Sequence, residues 1–126
     1  MSAKKPGTRQ QLRAQVAHEC ISPRASDERL KKENVEYSQL AKRFPSLVHN
    51  CGLAQALAYI QAKEKNENAD IGNAYISHLT KVIGLDDVIN LGELSRNADL
   101  KEYQRLTRET IESATWLKRY AEALLE

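Results

Sequence analysis

The sequence predicts an all-α protein, a single compact bundle of five or six helices with a long C-terminal helix. Three observations carry that expectation. Apolar residues recur at three- and four-residue intervals along almost the whole chain, while the alternation of a half-buried strand is missing. Residues that start or stop helices separate these runs. The length of 126 residues, with 41% apolar and 29% charged side chains, suits one globular domain, which at this size buries roughly two-thirds of its unfolded surface. Residues 1–126 are therefore read as a single helical domain, with residues 1–7 as a flexible lead.

The first helix is expected from about Thr8, a capping residue, to Ser22, where Pro23 stops the pattern. A second begins at Ser26 or Asp27; its first turns are nearly all charged, and Leu30, Tyr37, Leu40, Ala41 and Phe44 fall toward one side. Pro45 favours the first turn of a third helix, since its missing N–H costs nothing there. That helix should run to Ala62 or Lys65. Its apolar residues, from Leu47 and Val48 through Leu57 and Ile60, surround it instead of striping it, which makes it the expected central element. Gly52 sits within it against propensity, at about 1 kcal/mol relative to Ala, and close approach of another helix is the simplest reason.

Glu64 to Asn68 reads as an exposed loop. Asp70 opens a fourth helix with Ile71, Ala74, Tyr75, Leu79, Val82 and Ile83 on one face, closed by Gly84. His78 falls in that apolar arc and reads as a core-edge histidine. Asp86 and Asp87 are placed to cap a short helix containing Val88, Ile89, Leu91 and Leu94. The last helix starts near Asp99, whose spacing to Glu102 resembles a capping box, and it carries a continuous apolar stripe from Tyr103 to Leu125. This stripe is expected to pack on the central helix.

Composition and motifs limit the function. No apolar run approaches the roughly 20 residues that span a bilayer. Met1 to Thr8 is followed by no apolar core of a secretory signal, so a cytoplasmic protein with no membrane partner is expected. Cys20 and Cys51 form no paired-Cys motif and are expected to be reduced. In His18-Glu19-Cys20 and His49-Asn50-Cys51 the outer residues point about 200° apart on a helix, so no metal is expected. No nucleophile elbow, phosphate-cradling glycine loop or H-E-x-x-H helix is present, and the three histidines lie on separate expected helices. A protein that binds and assembles, with no cofactor and no catalytic residues, is the expectation.

The formal charge is only +2, but residues 1–43 carry ten Lys and Arg against five Asp and Glu. Three basic clusters fit an anionic partner. Lys101, Arg105, Arg108 and Arg119 project opposite the apolar stripe of the last helix, with Trp116 among them. An indole among guanidinium groups can stack on a base or on an arginine, and guanidinium suits phosphates; Trp116, Tyr120 and Ala123 can equally form a second apolar strip. Arg13 lies in the apolar arc of Leu12, Val16, Ala17 and Cys20, where a free charge is penalised. It needs either a carboxylate from another helix or a phosphate brought by a ligand. Lys42 and Arg43, with His49, form a basic corner at the Phe44-Pro45 junction. A solvated or salt-bridged helix surface is the plainer reading of such charge-rich stretches.

Beyond these local readings, the order of segments resembles a known family. The blocks are Phe44-Pro45-Ser46-Leu47-Val48, then Gly52-Leu53-Ala54-Gln55-Ala56-Leu57-Ala58-Tyr59, then Glu102-Tyr103-Gln104-Arg105-Leu106-Thr107-Arg108-Glu109 and Trp116-Leu117-Lys118-Arg119-Tyr120-Ala121-Glu122-Ala123. With Arg13-Ala14 and Ala17 ahead of them, they are similar to the small subunit of the type III-B CRISPR effector, the Cmr complex. One position departs: Cys51 precedes Gly52 where the family pattern has Asn, and Asn50 is displaced by one. The stretch Ser26 to Glu36 matches none of the blocks.

The resemblance implies a non-catalytic helical subunit in an RNA-guided antiviral ribonucleoprotein, present in several copies. Its implied partners are guide RNA, target RNA, the backbone and large subunits of the complex, and neighbouring copies of itself. On that reading Arg13, Lys42, Arg43, Arg105, Arg108 and Arg119 contribute to the groove in which guide RNA pairs with target RNA. Two other readings stand beside it. A helix-turn-helix DNA-binding regulator would use the short helix, break and basic helix between Asp86 and Arg108. A metal-free helical nuclease would need distant residues to converge.

Overall fold

The structure, a computed structural model, describes residues 7–64 and 69–126. Thr8 opens α1 (Arg9–Ser26) through a capping box: its hydroxyl accepts from the Gln11 N–H, and the Gln11 side chain accepts from the Thr8 N–H. Pro23 does not stop this helix as the sequence suggested. It lies in the last turn, where its missing N–H removes one intrahelical bond, and the helix continues to Ser26. Asn34 holds the extension. Its buried amide donates to the Arg24 carbonyl at 2.9 Å and accepts from the Arg24 guanidinium at 3.0 Å. Asp27 then caps a short 3₁₀ turn (Glu28–Leu30) that leads into α2 (Lys31–Cys51).

The boundary expected at Phe44-Pro45 does not exist, because Pro45 lies inside α2. Ala41, Phe44 and Val48 form one buried stripe across the proline. An interior proline costs about 3 kcal/mol, while full burial of Phe and Val side chains stabilises by roughly 1.5–3 kcal/mol each, so packing wins. The break comes instead at Gly52, with φ 86° and ψ 159°, a conformation that is essentially glycine's alone. The expected central helix is therefore two pieces, the last turns of α2 and a separate α3 (Leu53–Glu64). Tyr103 covers the break: its hydroxyl accepts from the Ala54 N–H at 3.1 Å, and a Cβ on Gly52 would stand 3.4 Å from the same oxygen.

Helix α4 (Ala69–Ile83) ends at Gly84 as expected. Gly84 has φ 99°, and the Gly84 and Leu85 N–H groups return to the carbonyls of Lys81 and Thr80 at 3.0 and 3.1 Å. Asp86 caps no helix. Its carboxylate accepts from the Val88 N–H in a tight turn, and Val88 is 86% exposed. The short helix, α5 (Leu91–Asn97), starts later and takes Asn90 as its cap. Asp99 caps α6 (Leu100–Leu124) by accepting from the Glu102 N–H at 2.9 Å. The described residues thus hold six α-helices and no strand. Residues 1–6 of the expected lead and 65–68 of the expected loop lie outside them.

Helix α6 lies along α1 and α2 and also touches α4, so its stripe is shared among three helices instead of facing one central rod. Leu106, Thr110, Ala114, Leu117 and Ala121 are its buried line. Arg13 meets Glu112 and His18 meets Tyr120, so α1 and α6 run parallel. Ser38 meets Glu126 while Tyr103 covers the far end of α2, so those two run antiparallel. Across the core Tyr75 takes Tyr37 and Phe44 edge to face, at ring-centroid distances of 5.7 and 5.3 Å. His78 is the core-edge histidine expected: its Nδ1 pairs with the Tyr37 hydroxyl at 2.6 Å, and the Arg24 guanidinium lies 4.7 Å from the Tyr37 ring centroid. Among the described residues, no helix is long and apolar enough to cross a membrane.

Candidate nucleic-acid interface

Burial of the apolar stripe fixes the rotation of α6 about its own axis. Lys101, Arg105, Arg108 and Arg119 therefore stand exposed on the opposite side. Arg105 and Arg108 are one turn apart, and Arg119 follows about three turns, roughly 16 Å, further along. Glu109 and Glu112 share this region and by themselves would cancel much of the charge.

Arg13 changes that balance. Only 4% of its side chain is exposed; it pairs with Glu112 through Nη1, and its Nη2 lies 3.6 Å from Glu109. The same Glu109 oxygen has Arg9 and Arg105 each at 3.8 Å. Of the two partners the sequence left open for Arg13, carboxylates of another helix are the ones found. Two acids thus meet three guanidinium groups, and the cluster keeps a positive excess. Arg108 and Arg119 have no ion pair among the described residues.

Lys42 reaches the other end of α6. Its ammonium lies 2.6 Å from Glu126 Oε2, and the Ser38 hydroxyl donates to the same oxygen at 2.8 Å. The two bonds, Lys42 first, hold the Glu126 carboxyl below its ordinary range. Arg43 and His49 remain exposed on α2. Because α2 is continuous through Pro45, the basic corner expected between two helices is in fact the surface of one helix. The structure therefore gathers Arg13, Arg105, Arg108 and Arg119 on and behind α6 and brings Lys42 to its end. Arg43 makes no hydrogen bond or ion pair to α6 among the described residues.

Trp116 is half-buried and makes the Tyr120 contact of the second apolar strip the sequence allowed. Its ring stacks on Tyr120 with centroids 6.2 Å apart and planes 22° apart, and His18 meets Tyr120 edge-on at 5.3 Å. Yet Trp116 also lines an open cleft of about 260 Å³ with Gln10, Ile111, Glu112, Thr115 and Arg119. Sequence reasoning missed this cleft, because Gln10 reaches it only through the pairing of α1 with α6. Among the described residues no three His, Cys, Asp or Glu side chains gather as metal ligands. Burial pushes the half-buried Cys20 thiol up, while Cys51 is exposed.

A six-helix bundle whose one long helix carries Lys101, Arg105, Arg108 and Arg119 on its exposed side defines a small all-α protein. The family model described as CRISPR-associated protein (Cas_Cmr5) matches residues 9–124. The chain is 40% identical over 119 residues to the CRISPR system Cmr subunit Cmr5 of Thermus thermophilus, covering 94% of this chain and 97% of that protein. It is also similar to the X-ray crystal structure of a CRISPR-associated Cmr5 family protein from the same organism. That match has a TM-score of 0.81 and 37% sequence identity, over 96% of this chain and 100% of the other. The chain belongs to the CRISPR-associated Cmr5 family, the one its ordered sequence blocks resemble. None of these matches is a helix-turn-helix regulator.

Proposed function

We propose that the chain is the small subunit of a type III-B CRISPR effector, a Cmr complex, that it performs no catalysis there, and that it holds RNA by its phosphates on the basic face of α6. Its partners in this reading are guide RNA, target RNA, the backbone and large subunits, and neighbouring copies of itself in the cytoplasm. The observation that carries it is the Arg13 clamp, which ties up Glu109 and Glu112, while Arg108 and Arg119 stand exposed on the same helix with no ion pair among the described residues. Arg105, Arg108 and Arg119 then face an RNA strand, and Lys42 and Arg43 extend the contact along α2. Arg13 serves the same surface from behind, through the two acids. Phosphate contacts carry no sequence information, which suits a groove where base pairing does the selecting.

The test is charge reversal in pairs, Arg105→Glu with Arg108→Glu and Lys42→Glu with Arg43→Glu, in the assembled complex. Target-RNA affinity is measured over a salt series. For every phosphate deprived of its cation, the slope of log affinity against log salt should become shallower by about 0.7–0.9. Unchanged affinity with an unchanged slope would remove the groove from the account.

A further inference from the structure

We infer that the cleft beside Trp116 is a pocket for one unpaired nucleobase of an RNA strand whose phosphates lie along the α6 stripe. The inference rests on the RNA-binding reading above and adds a subsite to it. Trp116 is the only tryptophan of the chain, and it lies at the edge of the core, where it both packs inward and borders solvent. The cleft of about 260 Å³ falls just below the roughly 300–1,000 Å³ of sites for drug-sized ligands, which suits a single planar ring system.

The lining chemistry narrows the occupant. The indole and Ile111 give apolar walls, and Gln10 and Thr115 add polar groups that can donate to or accept from the edge of a base. Arg119 stands at the rim with no ion pair among the described residues. Glu112, the one acid in the lining, is held by Arg13, so its charge does not oppose an anion. A nucleotide joins a flat ring and an anion in one unit, matching indole and guanidinium side by side. An apolar side chain from a protein neighbour would leave Arg119 without a partner. Stacking on an aromatic ring is tolerant of base identity, in keeping with a surface that reads no sequence.

The single tryptophan makes the test direct. Fluorescence of Trp116 in the full chain is followed while a short oligoribonucleotide, or an abasic ribose-phosphate strand of the same length, is added at several salt concentrations. The base-containing strand should quench the indole and the abasic strand should not, while both show the same salt slope. Trp116→Leu should weaken the base-containing strand about 5- to 150-fold and leave the abasic strand unchanged; if that variant does not fold, the comparison of strands on the natural chain decides alone. Equal affinity and equal quenching by the two strands, with the salt slope intact, overturns the pocket and leaves the phosphate-binding surface standing. Absence of any salt-sensitive binding overturns both. Quenching on addition of the partner subunits without RNA also overturns the pocket, since protein would then fill the cleft.

Discussion

The Arg13 side chain is 4% exposed, whereas its partners Glu109 and Glu112 are 19% and 55% exposed. Removing one member of a fully buried pair costs about 3–5 kcal/mol. Here water can reach one of the stranded acids, so Arg13→Ala should lower stability by about 1–3 kcal/mol, read as a lower urea midpoint with an unchanged m-value. The same variant frees two carboxylates beside the cationic stripe and should weaken RNA binding in the assembled complex. Glu109→Gln with Glu112→Gln should also destabilise, by leaving the Arg13 charge buried without a counter-charge, but should preserve or strengthen RNA binding. Loss of affinity in the Arg13 variant but not in the double glutamine variant, with both destabilised, separates the electrostatic role of Arg13 from its packing.

At the scale of elements, Gly52 decides where α2 stops and α3 starts. Any other residue at φ 86° and ψ 159° would hold strain of about 1–3 kcal/mol, and a new Cβ would press toward the Tyr103 hydroxyl at 3.4 Å. Gly52→Ala is expected to lower the thermal midpoint by several degrees, whereas the same change at Gly7, which precedes α1, should be close to neutral. Local capping chemistry was legible at three ends, where Thr8, Gly84 and Asp99 act where spacing placed them, but not at α5, which takes Asn90 as its cap and leaves Asp86 in a turn. The prolines were not legible either. Pro23 and Pro45 follow the local rule only until tertiary packing outweighs it, through Asn34 at one and the buried Ala41-Phe44-Val48 stripe at the other. The basic stripe of α6 was readable because periodicity alone divides a helix into two faces. For Arg13 a carboxylate of another helix was one of two readable partners, but which acids, and the Trp116 cleft, were not readable, since both depend on the register of α1 against α6, which no single helix encodes.

For the molecule as a whole, the buried His78 couples stability to pH. Burial, reinforced by Arg24 and Lys81, lowers His78 from 6.5 to about 4, while burial raises its partner Tyr37. The folded protein therefore refuses a proton that the unfolded chain accepts. Its contribution is complete above pH 6.5, is lost progressively as pH falls toward 4, and amounts to about 3 kcal/mol at most. Urea unfolding between pH 7 and pH 4 should show this loss, and His78→Gln should remove most of it. Glu126 has a lowered pKa and loses its bonds to Lys42 and Ser38 only as pH falls through that lower value, so the end of α6 should loosen after the core has weakened.

Distances from the α6 guanidinium groups to RNA in a structure of the assembled, target-bound complex bear most directly on the proposed role. Arg105, Arg108 and Arg119 should each lie within about 3 Å of a phosphate oxygen. A stripe pressed against a protein neighbour, with phosphates out of ion-pairing reach, would contradict the account.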